Sequence, residues 1–566
     1  MKKPIIILLV VFGIFSGGYL LLLDQSKRAA IDALENFNKT LQRSFGDVQI
    51  TYDDIRTNIF QRSAIAEELV LSVSDNQIIK VDEMVISGEE GSIRFANLSD
   101  LELSFMYDEV QFKTAIGKLF IEELKLGKIQ SFLNDYRDSL DAILFILDEL
   151  SISKFELEDF SLIGTNMNDE PIISLSGGVF VDDLYRGSIN NVNAIELIVN
   201  NRAYFNLSPF DFETDNIEIS NFELKPFFEA FNSEQKEVFH QLNHAFGITK
   251  LDIEKSSLFL PDRNLRMLIG KGDLEIENSF LETFTLEDFV FQEKPVDTNV
   301  SIGEMSLKGL DLSIDFLSQE ILYENISRVF GVEEFFLKDV SILHDEIPLR
   351  FAEFGFSEIE TKLNQVISGK TFMYDLEIPF SEIEEINQKL VEEIVLTTGL
   401  DKLKASFQTE FHYDEDDKRY SNSIKAELDQ LAEIEFSLEM AEFDPISLKE
   451  LEEVPSSILL AIFGEEIEFR KIKIDYNDFQ LADILFKIYP QIVMGIDFIK
   501  VQASLLLYQY PNEKELLINA LNNFGRERNK FGLNVLAVKP LRMSEVSQHF
   551  ASGRLNEYVS IEAYGN

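Results

Sequence analysis

Apolar and polar residues alternate along most of this chain, and the alternation repeatedly breaks phase in mid-run. FELEDFSLIG begins at Phe155, IEISNFELKPF at Ile217, FTLEDFVF at Phe284, MSLKGLDLSI at Met305 and FFLKDVSIL at Phe335. Each phrase alternates, steps over a polar residue or a glycine, and alternates again. Period-2 alternation predicts a strand with one apolar and one charged face, and the break predicts a bulge or a tight bend. Repetition of the phrase points to a long, twisted antiparallel sheet.

Helical spacing interrupts this pattern. Ile31, Leu34, Phe37, Leu41 and Phe45 predict an amphipathic helix ending at Gly46, and the stretches 129–150 and 227–246 carry apolar faces at the same period. Helix-to-strand junctions at Phe246-Gly247, Phe330-Gly331, Gly399 and Phe463-Gly464 look alike: glycine supplies the left-handed residue that stops a helix, and alternation starts at once. These junctions lie about 65–85 residues apart, the mark of a degenerate repeat of strands, helix, glycine, strands. Ser381 with Glu384, and Ser447 with Glu450, have capping-box spacing at two helix starts.

One run escapes both periods. Pro4, Ile5, Ile6, Ile7, Leu8, Leu9, Val10 and Val11 open it, and Phe12, Gly13, Ile14 and Phe15 continue it past Ser16. Gly17, Gly18, Tyr19, Leu20, Leu21, Leu22 and Leu23 complete it without a charge. As a helix the run is about 30 Å long, enough to cross a bilayer's hydrocarbon core. Lys2 and Lys3 before it and Asp24 after it orient the N-terminus to the cytoplasm. A cleaved signal peptide is the rival reading, but the run exceeds the roughly 7–15 residues of a secretory apolar region. The small residues Ser16-Gly17-Gly18 also lie inside it.

The expected fold class is therefore α+β: an N-terminal transmembrane helix followed by an elongated, repetitive, mainly antiparallel β-sheet body with interspersed amphipathic helices. The expected division is a cytoplasmic stub at 1–3, the transmembrane anchor at 4–23 and a membrane-proximal amphipathic helix at 24–46. A first β-rich periplasmic region at 47–247, a second β/α repeat region at 248–464 and a C-terminal β/α region at 465–566 follow. The expected placement is single-pass in a bacterial inner membrane, with the N-terminus cytoplasmic and the body periplasmic.

Charge narrows the partners. Against 51 basic residues stand 100 acidic ones, a formal net charge of −49 over 566 residues. Nucleic acid is disfavoured, because its phosphates call for basic patches. The chain has no cysteine, which excludes disulfides, thiolate metal sites and cysteine nucleophiles.

The anchor, the segment VQITYDDIRTNIFQRSAIAEELVLSV from Val48, the FxLxDFxL phrases and the late segment FGRERNKFGLNVLAVKPLRMSEV from Phe524 together resemble the AsmA-like superfamily of bacterial envelope proteins. The chain looks most like the YdgA-like group of single-anchor periplasmic members. The resemblance implies inner-membrane anchoring, a β-rich periplasmic body and a role in envelope biogenesis, with lipid carriage along an apolar groove in some larger relatives.

Candidate chemistry is sparse. His240 and His244 stand four apart on a helical stretch, but the glutamate of an HExxH metalloprotease motif is missing. Asp414, Glu415, Asp416 and Asp417 lack the spaced ligands and glycine of an EF-hand loop and read as a solvated hairpin turn. No GxSxG elbow, Walker loop or dinucleotide fingerprint is present. The chain is expected to be no enzyme, with no catalytic, cofactor-binding or metal residues.

Two functions remain expected. One is lipid binding or transfer in the AsmA-like manner; the other is a structural scaffold docking onto an envelope machine without lipid. The expected partners are a lipid bilayer through the N-terminal helix, phospholipid or lipopolysaccharide, and envelope proteins or a second copy through edge strands.

Overall fold

A computed structural model describes residues 28, 31, 35, 38, 39, 48–58, 62–73, 76–89, 92–107, 110–125, 150–202, 208–224, 248–277, 280–294, 298–311, 332–344, 347–362, 365–442 and 467–566. Two compact units emerge, Met1–Pro295 and Val296–Asn566.

In the first unit, β1 (Val48–Thr51) and β2 (Asp54–Asn58) both pair with β3 (Ser63–Val73). β4 (Asn76–Glu89), β5 (Ser92–Tyr107), β6 (Val110–Lys125), β7 (Ser151–Thr165) and β8 (Pro171–Tyr185) follow. The unit ends with β9 (Ser188–Asn201), β10 (Phe210–Glu223), β11 (Lys250–Leu260), β12 (Leu265–Glu277) and β13 (Phe280–Glu293). From β3 onward each strand pairs antiparallel with the next, making an up-and-down meander.

The second unit repeats the device. β14 (Thr298–Asp311), β15 (Glu334–His344), β16 (Ile347–Lys362) and β17 (Gln365–Pro379) lead into helix α1 (Phe380–Thr398). β18 (Lys402–Asp414), β19 (Arg419–Leu428), β20 (Ala432–Ala441) and β21 (Glu468–Asp478) continue the meander. Three helices come next: α2 (Leu481–Ile488), α3 (Gln491–Leu506) and α4 (Pro511–Glu527). β22 (Lys530–Arg542), α5 (Met543–Ala551) and β23 (Val559–Gly565) close the chain, each strand after β14 again antiparallel to its predecessor.

All five phase breaks coincide with a left-handed backbone residue. Asp159, Asn221, Asp288 and Asp339 have φ of 51°, 58°, 53° and 51°, and Gly309 has 76°. Asp and Asn tolerate this region better than other non-glycine residues. Inserted in a strand, such a residue reverses the side-chain parity. Phe155 and Leu157 precede Asp159, Phe160 follows it, and Phe155, Leu157 and Phe160 all pack against one core cluster. That core is built on Leu69, Leu71, Ile79, Ile86 and Ile93, each at most 2% exposed.

Three of these aspartates face a glycine on the preceding strand. Gly117 lies opposite Asp159 between the pairs Ile116–Phe160 and Lys118–Glu158, and Gly270 and Gly303 lie likewise opposite Asp288 and Asp339. A Cβ added at the three glycines would fall 2.9, 2.7 and 2.9 Å from the aspartate Cβ, closer than real carbons approach. The turned-over aspartate therefore needs a neighbour without a side chain.

Other local expectations find definite places. Arg28, Ile31, Glu35, Asn38 and Lys39 have helical backbone, with Ile31 on the core and the Asn38 amide bonded to the Ile50 N–H (3.1 Å) and carbonyl (3.3 Å). α1 ends at Gly399, whose φ is 73° and whose N–H reaches the Val395 carbonyl. α1 starts at Phe380, one residue ahead of the expected cap at Ser381. The Asp414 carboxylate accepts the N–H groups of Asp416 and Asp417, so the acidic run is a hairpin turn between β18 and β19. The helical stretches 227–246 and most of 129–150, the glycines 46, 247, 331 and 464, and Ser447 lie outside the described residues.

The expected fold class needs correction. No described helix is long and apolar enough to cross a membrane. α1 covers 19 residues but is kinked at Asn387 (φ −157°, ψ 78°), and its sequence is rich in glutamate; α3 is the more apolar but has only 16 residues, about 24 Å. Pro4 to Leu23 lies outside the described residues. The fold is accordingly antiparallel β-structure in both units, with five α-helices of defined bounds in the second, helical backbone at residues 28, 31, 35, 38 and 39 in the first, and no transmembrane helix among the described residues. The single-pass inner-membrane anchor, and the localisation drawn from it, are withdrawn.

The glycine–aspartate contact makes a testable prediction. Gly270→Ala is expected to destabilise by about 1–3 kcal/mol through overpacking, and Asp288→Gly in the same chain to restore at least half of the loss. Urea midpoints of the two single variants and the double variant check this; a double variant no better than Gly270→Ala would remove the Cβ encounter as the cause.

Candidate functional site: an apolar trough on the second sheet

Backbone register sets one apolar row across the second unit. Met305 pairs with Leu337, Leu337 with Phe354, Phe354 with Met373 and Met373 with Phe407. Phe407 pairs with Ala426, Ala426 with Ile434, Ile434 with Tyr476 and Tyr476 with Phe531. Directly opposed residues on neighbouring strands project from the same face, so nine strands present one continuous stripe.

Three alanines hollow this stripe. Ala405 and Ala432 flank Leu428 in the adjoining row, and Ala426 lies between Phe407 and Ile434. Where leucine would fill the space, these methyls leave an open trough of about 320 Å³. Met373, Leu376, Leu428 and Leu481 complete its apolar lining, while Ser406 and Glu427 are its polar members. Phe407 and Ile434 remain 44% and 43% exposed.

Helices bound the trough. α1 and α2 pack over one end through Phe380, Val391, Ile394 and Ile484, which cluster with Leu431 and bring Leu403, Leu428 and Leu481 against them. At the Tyr476 end, Phe524 of α4 stacks edge-on against Tyr476 (5.6 Å between centroids) and Phe531 (6.1 Å).

α2 is pinned to the sheet at two points. The Leu431 carbonyl accepts the N–H groups of Phe479, Gln480 and Leu481. Asp478, only 7% exposed, accepts the Ala482 N–H at 2.8 Å and the Tyr476 hydroxyl at 2.6 Å. Burial pushes the Asp478 carboxyl above the usual carboxylate range; the Tyr476 and Ala482 bonds oppose this, nearby Asp483 adds to it and Arg528 opposes it. Burial and the facing carboxylate push the Tyr476 hydroxyl well above the ordinary tyrosine range. The Tyr476 hydroxyl thus stays neutral, donating its hydrogen bond to Asp478.

The residues singled out from sequence lie elsewhere. His240 and His244 are outside the described residues. His344 is bonded to Thr298, His412 lies on β18, and His549 stacks on Tyr558 at 4.0 Å. Among the described residues no group of three acidic or histidine side chains is placed to hold a metal ion. Nothing in the sequence reading picked out Ala405, Ala426 and Ala432; the available signal was alanine at inward positions of LKASFQTEF, IKAEL and LAEIEF.

A raised carboxyl pKa fixes the sign of a pH effect. Protons are held more tightly in the folded state, so the Asp478 contribution to stability falls as pH rises from the ordinary aspartate range, about 4, through the folded value. Asp478→Asn keeps an acceptor without the charge and is expected to lose this segment. Urea midpoints of wild type and variant measured across pH 4–8 check it: the two curves should diverge in favour of the variant as pH rises, and parallel curves would refute the assignment.

No protein-family model matches the chain, and no curated protein matches it.

Proposed function

We propose that this protein is a non-enzymatic binding protein whose second sheet holds an apolar chain, in the lipid-binding or lipid-transfer manner of AsmA-like proteins, and that it serves cell-envelope biogenesis. The open trough floored by Ala405, Ala426 and Ala432 carries the reading. Its volume lies at the lower end of small-molecule sites, which suits a single acyl chain with the lipid's head group outside. Leaving Phe407 and Ile434 half bare costs about 25 cal/mol for each Å² of apolar surface kept in water, a cost that an acyl chain in the trough would offset. The in-register stripe from Met305 to Ile434 offers such a chain a row of apolar side chains across successive strands.

A second reading, a scaffold that binds no lipid, draws on the exposed apolar face of α3. It predicts an empty trough.

Native mass spectrometry and lipid extraction of the full chain separate the two. Stoichiometric co-purifying acyl lipid is expected, reduced at least tenfold by Phe407→Asp and by Ala426→Leu, which fills the trough without adding charge. A lipid-free wild type, or lipid retained equally by both variants, would leave only the scaffold.

A further inference from the structure

α3 carries a helix-pairing seam that nothing in the described chain covers. Met494, Phe498, Val501 and Leu505, with Tyr508 just past the helix end, follow a 4-3-4-3 spacing and are 55–72% exposed. This spacing is that of the a and d positions of a coiled coil, whose knobs need the holes of a facing helix. Ala503, opposite the seam, is buried; Ile499 and Leu506 are also exposed but lie on the flank between the seam and Ala503. A helix apolar on every side is ordinarily enclosed, and α3 is enclosed on one side only.

We propose that the seam is closed by α3 of a second copy, making an isologous dimer. Charge favours this occupant. The chain carries −49, yet α3 contains only Asp497 and Lys500, which pair with each other at 3.1 Å. The face is thus a neutral island on an acidic molecule, where two copies meet with the least repulsion. A basic partner would gain more almost anywhere else on the surface. Area agrees: taking roughly 150–250 Å² for a large side chain and the 55–72% exposure of the five seam residues, the seam offers on the order of 600 Å², the lower end of what each partner of a specific interface contributes. Because α3 is already folded against its own unit, pairing incurs no helix-nucleation cost. The inference does not depend on what the trough holds.

Sedimentation velocity on the full chain tests it. A reversible dimer with a Kd on the order of micromolar is expected, tightening several-fold as salt screens the net charge. Phe498→Asp with Leu505→Asp should weaken it at least tenfold with unchanged circular dichroism. Since the chain has no cysteine, Val501→Cys adds a unique thiol in mid-seam. Under mild oxidation it should crosslink copies much faster than Asn168→Cys on the exposed β7–β8 turn. Three results would each overturn the proposal: a monomer at every concentration with equal crosslinking rates at the two positions, a dimer that salt dissociates, or a monomer whose Val501→Cys label enters neutral phospholipid vesicles.

Discussion

A left-handed residue in the middle of a long strand is the constraint on which this structure depends. Strands here reach 14–16 residues, and their apolar pattern changes parity partway along. Without a break, Phe160 would leave the core face that Phe155 and Leu157 share. A left-handed residue costs roughly 1–2 kcal/mol, whereas fully burying one large apolar side chain contributes about 1.5–3 kcal/mol. At Asp159 the reversal keeps Phe160 on the core face, a contribution comparable to the strain or larger. The facing glycines at positions 117, 270 and 303 remove the remaining steric obstacle.

On the charged side of the sheets the same pairing rules arrange lysines among a surplus of carboxylates. Lys118 bridges Glu156 and Glu158 at 3.0 and 2.6 Å, Lys338 meets Glu304 at 2.9 Å, and Lys402 meets Glu377 at 2.6 Å. Lys402, joined by Lys404, holds the Glu377 carboxyl below its ordinary range. Exposed pairs of this kind contribute about 0–1 kcal/mol each, so they do not hold the sheets together. The charge balance matters more: 51 basic residues against 100 acidic ones leave a net charge of −49, so the surface is acidic and repels other acidic surfaces.

How far the sequence discloses this depends on whether a feature is local. The phase breaks are legible at Asp159, Asn221, Gly309, Asp288 and Asp339 because strand parity is written in consecutive residues. Gly399 and the Asp414 turn are legible for the same reason: left-handed caps and Asx turns act within a few positions. The glycine partners are not, since Gly117 and Asp159 are 42 positions apart in the sequence and only register brings them together. The trough is less legible still. It requires Ala405, Ala426 and Ala432, from three strands, to fall on one face, and an alanine within an alternating segment looks like any other inward residue. The α3 seam is written locally, but the apolar residues around it blur its spacing until exposure separates Met494, Phe498, Val501 and Leu505 from buried Ala503. Pro4 to Leu23, the plainest signal in the chain, lies outside the described residues.

The trough is a built feature rather than leftover space. A sheet face that merely lacks a cover exposes whatever its alternation provides, and large residues then project along its whole length. Here the row runs Met373, Phe407, Ala426, Ile434, Tyr476, with large residues on both sides of one alanine and two more alanines in the adjoining row. Each alanine in place of leucine forgoes contacts that would have stabilised the α1–α2 cluster beside it. Meanwhile α2 is held at the rim by Leu431 and Asp478 rather than collapsing over the gap. A trough that forgoes packing thus lies beside a helix whose hydrogen bonds fix it at the rim. Both features are what the proposed apolar occupant would require, and a lining that is apolar but for Ser406, Glu427 and the Tyr476 hydroxyl is compatible with one.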